Sequence, residues 1–268
     1  MPATVSTVRN VVTEVLTEST TAEIAVAAIV IAAALFAFGS IYRASSIRST
    51  ALRACGLVLA LLTLSIQVYR NGWLTSFDGP VTDWMVDHRS GVLDQIAVAI
   101  TDLGSPVATA LLGITCGVFI SWRARSVVPG LIVIGTVGAA AVASSVVKAL
   151  VGRERPPTNI QVLLETDHSF PSGHVTGTAA LVGIVVLVLS AHRTAAVKRL
   201  LMLAAVTITI VVALTRLYLG VHWLTDVIVG AILATLAVTV GGALFRLGEN
   251  RSGAAERTPE ASDQQALV

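Results

Sequence analysis

ITIVVAL, residues 208–214, and VIVGAILATLAVTVGGALF, residues 227–245, enclose TRLYLGVHWLTD, residues 215–226. The flanking runs carry no ionisable residue. The second alone, and the first extended back to residue 200, approach the roughly 20 residues needed to cross a bilayer. Between them stand Arg216, His222 and Asp226. Ionisable groups near a bilayer cost free energy, so their position asks for a use. The stretch reads as two membrane spans joined by a short polar corner.

The rest of the chain agrees. Of its 268 residues, 54% are hydrophobic and only 13% charged, where a soluble domain carries about 25% charged residues. Seven spans are predicted, at residues 24–42, 51–69, 105–122, 128–149, 174–191, 200–217 and 223–245. The expected fold is all-α, a polytopic transmembrane helix bundle of about seven spans. A net charge of +2 is too small to argue for a nucleic-acid partner. Cys55 and Cys116 lie within apolar runs and read as small membrane-buried residues.

Orientation follows from the basic residues. Arg43, Arg48, Arg53, Arg123, Arg125, Arg193, Lys198 and Arg199 fall after spans one, three and five, and Arg246, Arg251 and Arg257 follow the last. The opposite side holds Asp78, Asp83, Asp87, Asp94 and Asp102. The positive-inside rule therefore predicts an outside N-terminus and a cytoplasmic C-terminus in a plasma-membrane protein. Lys148, Arg153, Arg155 and Arg216 break the pattern and need another explanation.

The membrane domain is expected over residues 24–245. Before it, residues 1–23 form a leader with Val5, Val8, Val12 and Val15 at helical spacing, read either as an amphipathic helix on the membrane or as a short solvent helix. After it, residues 246–268 are polar and aromatic-free, and disorder is expected. The long connection 70–104 contains Trp73, Phe77, Trp84 and LDQIAVAITDLG. It reads either as an interfacial lid or as helix packed on its neighbours.

On this map three polar clusters meet at one membrane face. Lys148, Arg153, Arg155 and Pro156 follow span four, FPSGH opens span five, and Thr215, Arg216, His222 and Asp226 straddle spans six and seven. Two guanidiniums and an ammonium suit a phosphate dianion. Ser172 offers a hydroxyl and Gly173 a close approach to backbone N–H groups at a helix start, beside His174 as a proton donor. His222 and Asp226, four residues apart, share a helical face. A carboxylate on one imidazole nitrogen leaves the other nitrogen's lone pair free to attack. Gly220 permits the turn between Arg216 and His222. Taken singly, each feature has a bland reading as a snorkelling anchor, a helix-stabilising pair or a helix start. The spacing alone does not decide which histidine attacks.

These residues resemble a known family. Lys148 and Arg155-Pro156 are separated by six residues, Pro171-Ser172-Gly173-His174 is unbroken, and Arg216, five residues, His222, three residues, Asp226 completes the pattern, with Thr215 where serine is usual. Together they resemble the tripartite signature of the type 2 phosphatidic acid phosphatase superfamily, which includes vanadium haloperoxidases. The resemblance implies a six-span phosphatase core, leaving an extra N-terminal span. It implies that His222 is the nucleophile, Asp226 its orienting partner, and His174 the acid and then the base. Lys148, Arg155, Ser172, Gly173 and Arg216 would bind the phosphoryl oxygens, with no metal or cofactor. The expected partners are membrane lipids and a lipid phosphate substrate hydrolysed at the outer face. Undecaprenyl or another polyprenyl diphosphate is the leading expectation, ahead of phosphatidic acid and phosphatidylglycerophosphate. Phosphotransfer to a second acceptor, and a transporter or lipid-binding protein without catalysis, are the alternatives.

Overall fold

The computed structural model describes residues 2–41 and 46–265, and the side chains of residues 21–41 and 46–249. The alternatives for the leader, and the expected disorder of the tail, fall mostly outside those side chains. Among the described residues the chain forms α1 Pro2–Ile41, α2 Ile47–Tyr69, α3 Asp78–Asp87, α4 Gly91–Leu103, α5 Pro106–Ala124, α6 Val127–Val151, α7 Gly173–Ser190, α8 Ala195–Tyr218 and α9 Leu224–Gln265. Seven of these contain a stretch long and apolar enough to cross a membrane, including Thr21–Ile41 of α1 and Leu224–Glu249 of α9. Each coincides with a predicted span to within a few residues.

Short polar residues set where the helices begin. Ser46, Ser90, Ser105, Ser126, Ser172 and Thr194 each stand at an N-cap and accept a hydrogen bond from a first-turn backbone N–H. Pro106 follows its cap at the first helical position, where its missing N–H costs nothing. Gly152, at φ +63°, ends α6.

α7 and α9 form the central pair, with α8, α6 and α5 packed on α7, and α6 and α2 on α9. Ala140, Ala180 and Ala234 are fully buried where α6, α7 and α9 meet. Small side chains allow this close approach, which bundles in lipid favour because apolar bulk gains nothing by leaving hydrocarbon. α1 lies against α2, where a Cβ on Gly56 would stand 2.5 Å from the Ala32 carbonyl oxygen. The outer faces of α5 and α8 expose Leu111, Phe119, Leu203 and Val206, as a lipid-facing surface should.

The connection between α2 and α5 forms two helices that pack on the bundle while Trp73, Phe77 and Trp84 stay exposed. α4 rests on α8, and α3 on α8 and α9. Arg89, between α3 and α4, donates to the carbonyls of Tyr218 and Ile160 at 2.7 Å each. The antiparallel run of spans brings the end of α6, the start of α7 and the α8–α9 corner to one end of the bundle. The three polar clusters therefore meet there.

Candidate active site

The α8–α9 corner is built around one imidazole. α8 ends at Tyr218, and Gly220 takes φ +68°, a conformation that L side chains rarely adopt. A Cβ there would also stand 2.6 Å from the Ile160 carbonyl. The chain then enters α9 with His222 and Asp226 fully buried. His222 Nδ1 lies 3.2 Å from Asp226 Oδ2, and its Nε2 lies 3.2 Å from Arg155 Nη1. Nδ1–H therefore donates to the carboxylate, and the Nε2 lone pair faces a guanidinium. Burial pushes the His222 pKa down to about 4, against the pull of Asp226, and Arg216 and Arg155 add to the depression. The ring is neutral at pH 7, the form in which Nε2 can attack.

Asp226 is held on every side. Oδ2 also accepts from Ser169 Oγ and, at 2.9 Å, from the backbone N–H of Trp223, the reciprocal arm of a helix-start box. Oδ1 takes Arg153 Nη1 at 2.7 Å. The other arm of Arg153 reaches Asp78 Oδ2 at 2.6 Å, and Asp78 in turn accepts from the backbone N–H and hydroxyl of Thr225. Asp78, at the start of α3, thus braces Asp226 through Arg153. Arg153 also lies over the Trp223 ring.

Lys148, Arg155 and Arg216 converge beside this imidazole, and two carboxylates from the α6–α7 loop occupy them. Lys148 Nζ pairs with Asp167 at 2.9 Å and with the His168 carbonyl. Arg155 Nη2 pairs with Asp167 at 2.5 Å and Glu165 at 2.8 Å. Arg216, fully buried, gives one arm to Glu165 and the other to Thr101 Oγ1 at 2.9 Å. Its Nε–H has no partner among the described residues, an orphaned donor that costs free energy until an acceptor arrives. Burial opposes the charge on Glu165, but Arg216 and Arg155 outweigh it and its pKa lies below the usual range. Asp167 is likewise held at about 2, with Lys148 and Arg155 overcoming burial.

His174, half-buried at the start of α7, has Arg216, Glu165 and Arg155 as its charged neighbours, with the His222 imidazole close by. Ser172 is fully buried; its Oγ caps α7 at Val175 N–H and its own N–H donates to the Asp226 carbonyl at 3.1 Å. A Cβ on Gly230 of α9 would come within 2.9 Å of the Ser172 carbonyl, so this contact holds the second cluster against the third. All eight residues singled out from sequence thus lie in one cluster of contacts at one end of the bundle. Sequence reasoning missed Glu165, Asp167, Ser169, Thr101 and Asp78. Two of these had a signal: Glu154, Glu165 and Asp167 are the only acids between Lys148 and His174, and three converging cations in a low-dielectric setting demand countercharge.

Comparison with known proteins agrees with the geometry. The family model described as PAP2 superfamily matches residues 129–247, a stretch that contains all three clusters. Phosphatidylglycerophosphatase B of Bacillus subtilis (strain 168) is 28% identical over 184 residues, covering 67% of this chain and 88% of that protein. The crystal structure of a transmembrane PAP2-type phosphatidylglycerolphosphate phosphatase from Bacillus subtilis superposes with a TM-score of 0.63 at 26% identity, over 76% of this chain and 98% of that one.

Proposed function

We propose, from the match of residues 129–247 to the PAP2-superfamily model, that this chain is a membrane phosphatase that hydrolyses a lipid phosphate through a phosphohistidine on His222. The observation that carries the reading is the position of His222 Nε2, a neutral lone pair directed at Arg155 beside Lys148 and Arg216. A phosphoryl group bound by those three cations is presented to that nitrogen. Its oxygens take over from the Glu165 and Asp167 carboxylates, and one of them meets the orphaned Arg216 Nε–H.

The chemistry then follows from the charges. Nε2 attacks phosphorus while the bond to the lipid oxygen breaks, and His174 donates a proton to that oxygen. The imidazole gains positive charge, which Asp226 stabilises through Nδ1–H. His174, now deprotonated, takes a proton from water, which attacks phosphorus. The P–N bond breaks, its electron pair returns to Nε2, and phosphate leaves. The three cations stabilise charge on the equatorial oxygens in both steps.

The lipid character of the substrate rests on a slot of about 310 Å³ between α5, α6 and α7. Gly113, Ile134, Gly138 and Ala141 line it, and Lys148, Asp167 and Gly173 stand at its polar end. An acyl or prenyl chain seated there would deliver its phosphate to the cations. The names of the similar Bacillus proteins favour phosphatidylglycerophosphate as the first substrate to test. Polyprenyl diphosphate, suited to a site facing outside the plasma membrane, is the second. Phosphate release from phosphatidylglycerophosphate, undecaprenyl diphosphate, phosphatidic acid and a water-soluble phosphomonoester, each with EDTA present, tests the reading. Release from lipid phosphates that persists in EDTA is expected. Activity confined to the soluble ester would refute the lipid assignment.

A further inference from the structure

Along α6, one stripe of residues lines the slot between α5, α6 and α7: Ile134, Gly138, Ala141, Ser144, Ser145 and Lys148. Steps of three and four place them on one helical face. Gly173 and Gly177 of α7, with Thr109 and Gly113 of α5, face them across the slot. Below the charged end the wall is hydrocarbon or glycine apart from three hydroxyls, those of Thr109, Ser144 and Ser145.

Two of these hydroxyls are occupied by their own helices. Thr109 Oγ1 donates to the Ser105 carbonyl at 3.0 Å, and Ser145 Oγ donates to the Ala141 carbonyl at 3.0 Å. Ser144 differs. It is only 4% exposed, and its Oγ has no hydrogen-bond partner among the described residues. A buried hydroxyl left unpaired carries a desolvation cost, and hydrocarbon supplies no water to relieve it. An alanine, such as Ala140 one turn earlier, would fill the same space without that cost. A serine hydroxyl turns about one bond, and this one breaks no hydrogen bond in turning toward the slot.

The position of Ser144 says what could meet it. It precedes Lys148 by four residues, about 6 Å along the helix, so it stands beside the part of a ligand just below the phosphoryl group. A polyprenyl monophosphate has only hydrocarbon there. A glycerol lipid has oxygen: an ester carbonyl in phosphatidic acid, the phosphodiester in phosphatidylglycerophosphate. We propose that Ser144 is a specificity-determining residue, whose hydroxyl donates to that first oxygen below the scissile phosphate and so selects glycerol lipids over bare hydrocarbon chains. The inference rests on the lipid-phosphatase reading and deepens it.

The test compares kcat/KM of the wild type and Ser144→Ala, as full chains in one detergent. The substrates are phosphatidic acid, its dialkyl ether analogue, phosphatidylglycerophosphate and a polyprenyl monophosphate. Ser144→Ala should lose about tenfold on one or both ester-linked glycerol lipids, the worth of one hydrogen bond. It should keep or gain activity on the ether analogue and the polyprenyl monophosphate, which lack the acceptor. A loss on phosphatidic acid identifies the ester carbonyl, a loss on phosphatidylglycerophosphate alone identifies the phosphodiester, and either supports the proposal. The free variant should unfold at the wild-type temperature or higher, because an unpaired hydroxyl contributes nothing to the fold. A lower midpoint would show that the hydroxyl is paired within the protein, and would overturn the proposal. So would an equal loss on every substrate. An active wild type whose profile is unchanged in Ser144→Ala would overturn this inference alone. A wild type inactive on all the lipids would overturn the phosphatase reading with it.

Discussion

At the scale of residues, the chemistry turns on a neutral imidazole in a cationic setting. The His222 pKa of about 4 lies below its ordinary 6.5 because burial penalises the imidazolium. Nε2 is free above that value and becomes protonated as pH falls through it. The acid limb of kcat/KM, corrected for titration of the substrate, should fall near pH 4; a limb near 6.5 would contradict the burial argument. Glu165 and Asp167 stay ionised across this range, so acidification does not free the cations and phosphate must displace the carboxylates. E165Q/D167N should therefore tighten inhibition by inorganic phosphate or vanadate about tenfold, the effect of removing a competing state that dominates the free enzyme. Weaker inhibition would mean that the carboxylates hold the cations in place. Sequence showed the eight motif residues through the tripartite signature they resemble, whose spacings run across helix ends. It could not show Asp78, which reaches Thr225 across 147 positions of chain. Asp78→Ala should lower the unfolding free energy by about 1–3 kcal/mol, the cost of leaving Arg153 Nη2 and the Thr225 N–H without their buried acceptor, and should slow kcat by loosening Asp226. Stability equal to wild type would show that Arg153 is held elsewhere.

At the scale of elements, the corner between α8 and α9 is the part with least freedom. Gly220 sits at φ +68° against Ile160, and the loop carrying Ile160 is pinned by Arg89 and by Val162 N–H on the Leu219 carbonyl at 3.0 Å. Gly220→Ala should cost at least about 1–2 kcal/mol from backbone conformation alone, with more from the clash, and should depress kcat by shifting His222. Unchanged activity and midpoint would show that the corner relaxes without moving the imidazole. The spans were legible because lipid imposes a length and forbids unpaired backbone, leaving long apolar helices as the solution. The connection 70–104 was not, since its exposed aromatic residues Trp73, Phe77 and Trp84 do not say which helices the segment packs on. α4 is decided by partners distant in sequence: Tyr218 Oη bonds Asp94 at 2.9 Å, and Arg216 bonds Thr101.

At the scale of the whole molecule, the bundle separates two chemistries by its length. One end gathers Lys148, Arg155, Arg216 and both histidines; the other carries Arg48, Arg53, Arg123, Arg125, Arg193, Lys198 and Arg246. Composition made the membrane setting plain, and by the positive-inside rule the second end's basic residues predict that this end faces the cytoplasm. A single cysteine at position 168, exposed on the α6–α7 loop, in a background without Cys55 and Cys116, should react with an impermeant maleimide from outside intact cells. Labelling only after permeabilisation would invert the orientation. The most direct measurement of the mechanism is covalent capture. After rapid quenching at alkaline pH with a substrate labelled in its phosphoryl group, the peptide containing His222 should carry acid-labile phosphate. His174→Ala should accumulate it, and His222→Ala should carry none and lose activity about a thousandfold or more. Label on any other residue, or turnover that survives in His222→Ala, would contradict the phosphohistidine mechanism.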